Sequence, residues 1–403
     1  MICTNDSELD RGLVLSFSIS VLRTITLIFM VGGVAACASP ARGVLTPVNT
    51  AASGAAKVDL LVATTRAPTA QKGVFFTGER GHDLTLANIV VSIPPNRNPG
   101  TIQWPRRLPG DPERNFVTTA VDAVNVRDIR TWYRSHAVSG RRVLIFVHGF
   151  NTRFEDAVFR FAQIVHDSRA EVTPVLFSWP SRGALLDYNY DRESTNFSRS
   201  ELGYVIQQAV NSPDVSEITI MAHSMGSWPV MEALRDMAMQ GRRISPKITD
   251  IILASPDLDI DVFRKQLIDI GQERPHISIF VSANDRALRL SRLISGQVTR
   301  VGGVDLTNAS YKAQLKMASG ITVYDLSALR NGDGLNHTQF ATSPEVVRLF
   351  GERLLRGQSL SDADPNMPGN FGAAAVEASM AIGTVTGAAL SAPIRIFEST
   401  ARR

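Results

Sequence analysis

From Arg141 onward the chain repeats one pattern: a short apolar run, then a stretch with apolar residues three and four positions apart. "RRVLIFV", "VTPVLFSW", "EITIMA", "ITDIILA", "HISIFVSA" and "ITVYDL" are the runs. The stretches between them carry sets such as Phe154, Ala157, Val158, Phe161, Ile164 and Val165, or Leu202, Ile206, Ala209 and Val210. A run apolar on every residue reads as a strand buried on both faces, and the helical spacing reads as an amphipathic helix. Their alternation predicts an α/β fold, a mostly parallel sheet with helices on both faces. "PEVVRLFGERLL" closes the series, with Thr342, Pro344 and Glu345 as a predicted capping box and first-turn proline.

The region before Arg141 has a different texture. "VDLLVATTR", "GVFFTGERG" and "LTLANIVVSIPP" are β-rich and separated by turn formers, which predicts an N-terminal β extension. Pro94, Pro95, Pro99, Pro105, Pro109 and Pro112 then mark an irregular link. At the start of the chain, Arg23 precedes "TITLIFMVGGVAAC", an apolar core ending in small residues, the pattern of a secretory signal. "VAAC" resembles a bacterial lipobox, which implies lipidation at Cys37 and a membrane-anchored lipoprotein of the cell envelope facing the periplasm. An uncleaved membrane anchor or a misplaced start codon is the competing reading. The expected organisation is therefore signal and lipobox over 1–37, a small-residue tether over 38–57, the main domain over 58–356 and an Ala/Gly-rich tail over 357–403.

Bulk properties narrow the function. An apolar share of 44% with 20% charged residues is globular, and a net charge of +4 on scattered arginines gives nucleic-acid binding little support. Cys3 and Cys37 both fall in the first tenth of the chain, so no Cys-based metal site or disulfide framework is expected in the domain. Neither a phosphate-binding loop nor H-E-x-x-H occurs, so no cofactor and no metal are expected.

Functional loops of parallel sheets lie at the carboxyl ends of the strands. Four such loops carry the groups acyl transfer needs. "AHSMG" follows a strand and opens a helix, as a nucleophile elbow does, with Ala222 in place of the first glycine and Ser224 at the bend. Otherwise Ser224 merely caps that helix. "VHGFN" offers the Phe150 N–H as one oxyanion donor, and Met225, after the serine, offers the other. His148 there suits a loop-ordering hydrogen bond better than a base. "SANDRAL" places Asp285 between strand and helix, as a histidine-orienting carboxylate or a helix cap, with Asp257 and Asp259 as rivals. His337 in "GDGLNHTQF" is the one histidine beyond Asp285 and preserves the order Ser, Asp, His. Trp179, Leu185, Leu186, Tyr188 and Tyr190, with His148 nearby, are expected along an apolar, aromatic substrate pocket, although core packing would explain the tyrosines equally well.

With "TTR", "HGFN", "FSWPS", "YDRES", "AHSMG", "SPDLDIDVF" and "SANDRAL", residues 58–355 resemble an α/β-hydrolase, most closely a little-characterised bacterial esterase/lipase-like branch. The resemblance implies a Ser224–Asp285–His337 triad and an N-terminal segment that extends the sheet. It leaves the substrate open; the apolar, aromatic wall suits an acyl or aryl ester, so a small-molecule or lipid acyl ester is expected, with a peptidase, an acyltransferase or a non-catalytic binding protein as alternatives.

Overall fold

The computed structural model describes residues 41–240, 243–308, 320–329 and 334–356. The signal, lipobox and Cys37 expectations, and the tail over 357–403, lie outside them.

Among the described residues nine strands form one sheet in the order β3-β2-β1-β5-β4-β6-β7-β8-β9. The alternating region supplies β4 (Arg142–Val147), β5 (Thr173–Ser178), β6 (Glu217–His223), β7 (Ile248–Ala254), β8 (His276–Val281) and β9 (Ile321–Asp325), all in parallel pairings. The N-terminal extension supplies β1 (Ala56–Pro68), β2 (Phe76–Ile93) and β3 (Val117–Val124). β1 pairs parallel with β5, so the extension continues the parallel sheet before β2 and β3 turn it antiparallel at the edge. The helices are α1 (Ile129–His136), α2 (Phe154–Ser168), α3 (Tyr188–Asn211), α4 (Ser227–Met239), α5 (Ile260–Ile270), α6 (Arg286–Ile294), α7 (Gln339–Thr342) and α8 (Pro344–Arg356).

Strand periodicity divides the apolar residues between two cores. In β4, Val143, Ile145 and Val147 face the layer built from α1, α3, α4 and α5. Leu144 and Phe146 face α2 and α8, where Phe154, Phe161, Val346 and Phe350 pack. Each such side chain contributes about 1.5–3 kcal/mol when fully buried, which is why the central strands are apolar at every position.

Local signals place most boundaries, and a few differ from expectation. Helix α3 begins well before Leu202, the first apolar residue read for it, because Asp191, Ser194, Thr195 and Ser198 are polar yet buried. The start of α8 is served by Ser343, whose Oγ accepts from Val346 N at 3.4 Å, while Thr342 ends α7. β3 and α1 both lie beyond Pro112, the last proline of the link, and before Arg141, where no regular element was expected. Part of the expected tether is packed: Val44 and Leu45 are buried in the α2-side core, and Val48 N donates to Thr118 O.

Candidate active site

The elbow forms at the end of β6. Ser224 takes φ +52°, a left-handed value that L-residues other than glycine seldom adopt. Strand β6 runs to His223, a single helical turn spans Ser224–Gly226, and α4 follows directly. Close packing explains the glycine: a Cβ on Gly226 would stand 2.2 Å from His148 O. Ala222, the departure from the usual motif, is fully buried and pairs with Val147 and Leu253. Left-handed backbone recurs at Asn151 (φ +55°), Ser255 (φ +47°) and Asn336 (φ +55°), at the ends of β4 and β7 and just before His337. Four of the eight non-glycine residues with positive φ among the described ones thus lie in the elbow and the loops around it, where the surroundings hold the strained backbone.

The loop after β4 lies against the serine. A Cβ on Gly149 would fall 2.8 Å from Ser224 Cβ, so only glycine lets the two meet. This loop carries Phe150, and the elbow carries Met225, which is 2% exposed. Residues 148–152 are fixed from below by Arg66, a buried guanidinium at the end of "TTR". Its Nε donates to Ser178 Oγ (2.9 Å), one terminal nitrogen to Thr77 O and Ser181 O, and the other to Thr152 O (2.7 Å) and the His148 imidazole (3.3 Å). With His148 Nε2 accepting from Arg66, its Nδ1–H donates to Gly149 O at 2.8 Å. Asn151 N–H and Ser181 Oγ both donate to Asp191 Oδ2, and Thr152 N–H donates to Ser181 Oγ. The motifs "TTR", "HGFN", "FSWPS" and "YDRES" thus meet in one buried network. Burial lowers the Arg66 pKa to about 10. Burial first, and then the Arg66 charge, lower His148 to about 3, which keeps that imidazole neutral.

On the far side of the elbow stands His337. Its Nδ1 donates to Asp285 Oδ2 at 2.6 Å, and its side chain is 13% exposed while that of Asp285 is fully covered. The other oxygen of Asp285 accepts from Leu288 N at 2.9 Å, so this aspartate caps α6 and orients the imidazole at once. His223, next to Ser224, donates through Nε2 to His337 O at 3.3 Å, and the two rings lie 4.7 Å apart. Burial, and then the neighbouring His337, hold His223 well below the usual imidazole range. Serine elbow and imidazole loop are therefore tied together across 114 residues of sequence.

The rival carboxylates are otherwise engaged. Asp257 accepts from Tyr188 Oη (3.0 Å) and Ser291 Oγ (2.6 Å), lies 3.2 Å from Arg300 Nε, and donates its own N–H to Ser224 O. Asp259 caps α5 through Asp261 N and Val262 N.

A cleft of about 530 Å³, open to solvent, borders the elbow at Met225 and Trp228. Tyr188 lines it, together with Arg192, Arg300, Asp257 and Asp259, so its wall is more polar than the aromatic pocket expected from sequence. Trp179 is fully buried, stacked 4.7 Å from His148 and donating to His148 O, and so does not reach the cleft. Tyr190 points to the N-terminal hairpin: its hydroxyl donates to Gly78 O, and the Arg182 guanidinium lies 3.7 Å over its ring. Leu185 and Leu186 are exposed. Sequence reasoning did not single out Arg66, Asp191 or Arg300. The available signal was charged or hydroxyl residues within or beside otherwise apolar strands and helix faces.

A family model described as "Alpha/beta hydrolase of unknown function" (DUF900) matches residues 127–353. An uncharacterized protein of Nostoc sp. is 29% identical over 126 residues, covering 25% of this chain and 33% of that protein. The chain thus spans about a third of the length of that curated relative. Among solved structures, a lipase-esterase related protein of Clostridium acetobutylicum is 10% identical with TM-score 0.29, covering 53% of this chain and 94% of the other. An esterase of Pyrobaculum calidifontis is 11% identical with TM-score 0.32, covering 68% and 81%. Likenesses this distant bear on neither substrate nor mechanism.

Proposed function

Because the chain belongs to the α/β-hydrolase family of unknown function matched over 127–353, we propose that it is a serine hydrolase cleaving carboxylic esters through Ser224, His337 and Asp285. The observation that carries this reading is the Asp285–His337 hydrogen bond, in a loop itself bonded to the residue before Ser224.

The chemistry follows from the residues. Asp285 holds the Nδ1–H tautomer of His337, so that Nε2 is the ring nitrogen that accepts a proton. Ser224 Oγ attacks the acyl carbon as its proton passes to His337 Nε2, and the carbonyl oxygen becomes an oxyanion facing the Phe150 and Met225 N–H groups. Collapse breaks the ester C–O bond, and the leaving alcohol takes the proton from His337. Water, deprotonated by the same histidine, attacks the acyl-enzyme and releases the acid, restoring Ser224. The Arg66 network supports the donor loop, since a donor displaced by even 1 Å loses much of its effect on rate.

A fluorophosphonate probe tests the nucleophile: wild type is expected to be labelled and Ser224→Ala is not. Lack of labelling in folded wild type would leave a non-catalytic binding protein. Turnover on a panel of short and long esters, amides and thioesters separates the ester reading from a peptidase or acyltransferase. For the N-terminus we propose export and lipidation at Cys37, supported by the apolar core and "VAAC". Palmitate incorporation abolished by Cys37→Ser is the expected result.

A further inference from the structure

The surface beside the cleft combines exposed leucines with exposed arginines. Helix α6 buries Leu288 and Ser291. A soluble helix sets polar residues opposite such a face. Here Leu290, Leu293 and Ile294 are exposed there, Leu293 at 61%. They alternate with Arg286, Arg289 and Arg292, all exposed, and the helix has no acidic residue. Among the described residues these guanidiniums meet only carbonyl oxygens: Gly334 O, Asn284 O and Gln297 O respectively.

A second segment extends the patch. Tyr188 Oη lies 2.9 Å from Ser291 Oγ, tying the start of α3 to the middle of α6. Leu185 and Leu186 stand just ahead of that tyrosine, and Leu186 is 100% exposed. Tyr188 from one segment and Ser295, directly after α6, both line the cleft. The exposed Arg192 lines it too. Of the acidic residues there, Asp257 is paired with Arg300 and Asp259 caps α5, so each already faces positive charge or N–H groups.

Clustered apolar side chains rimmed by cations fit a surface that is apolar within and negative outside. We propose that α6 and the 185–187 turn dock on an anionic phospholipid bilayer, with the cleft mouth at the lipid surface. Leucines enter the headgroup boundary while the arginines meet phosphates, which draws acyl chains toward the site. This goes beyond the hydrolase reading and does not depend on it.

The test uses the full chain with Cys3→Ser and Cys37→Ser and a polarity-sensitive fluorophore on Leu293→Cys. The control carries it on Ser139→Cys, exposed at the amino end of β4. Vesicles of phosphatidylcholine with one quarter phosphatidylglycerol are expected to blue-shift the Leu293 probe and leave the Ser139 probe unchanged. Half-saturation should need about tenfold less lipid than pure phosphatidylcholine. Ser224→Ala should behave identically, so failure of catalysis and failure of docking are read separately. Equal shifts at both positions, no shift, or no dependence on phosphatidylglycerol overturns the proposal. So does a probe already blue-shifted without lipid: loss of that shift on dilution would mean a second copy covers the face, and its persistence would mean the chain's own segment does.

Discussion

His337 Nδ1 donates to Asp285 Oδ2 at 2.6 Å, and the same carboxylate caps α6 through Leu288 N. The two duties can be separated by substitution. Asparagine caps helices about as well as aspartate, but it lacks the charge that supports the imidazolium and does not enforce the Nδ1–H tautomer. Asp285→Asn is expected to reduce kcat on a soluble ester about 10⁴-fold with an almost unchanged thermal midpoint. Asp257→Asn should show the opposite balance, a lower midpoint with a far smaller loss of kcat, because it leaves buried Arg300 short of its partner. Full activity in Asp285→Asn would move the orienting role elsewhere.

Packing at the elbow makes a second prediction. Gly226→Ala would set a methyl group 2.2 Å from His148 O, a backbone atom that cannot swing away. The loss should exceed the cost of ordinary overpacking, about 1–3 kcal/mol. Urea unfolding measures it, and tolerance of the alanine would mean that the elbow and the 148–152 loop are not held together.

Arg66 should carry stability and activity together. Arg66→Met removes donors from Ser178, Thr77 O, Ser181 O and Thr152 O in a dry interior. A loss of about 3–5 kcal/mol is expected on urea unfolding, the scale for breaking a buried charged network. Arg66→Lys keeps charge without the planar fork and should remain markedly destabilised. Equal stability of Lys and Arg variants would show that charge alone matters.

Acid stability reports on His148. Its folded pKa, about 3, lies below the ordinary imidazole value of 6.5. Between those values the unfolded chain binds a proton that the folded chain does not. Stability from this group is therefore complete above about pH 6.5 and is lost as pH falls toward 3, at about 1.4 kcal/mol per pH unit. His223, lowered for the same reason, adds to the slope. His148→Gln should flatten the dependence of unfolding free energy on pH across this window. An unchanged slope would mean that His148 is charged in the fold.

Strand and helix alternation, the bend at Ser224 and the loop positions of Asp285 and His337 were legible from the chain alone. They depend on local periodicity and on turn chemistry within a few residues. β3 and α1 were hidden because their residues pack against partners distant in sequence: Trp132 on α1 donates to Asn88 on β2, for instance. Asp285 and Asp257 occupy equivalent loops, one strand apart, and nothing near either distinguishes them. Sheet order and burial decide, setting Asp257 against Tyr188, Ser291 and Arg300 and leaving Asp285 to meet the imidazole. Trp179 and His148 were likewise readable as pocket wall until tertiary packing put both beneath the loop. A side chain's neighbours along the chain determine its element and its face. Which charge it meets, and whether water reaches it, depends on segments that only long-range folding brings near.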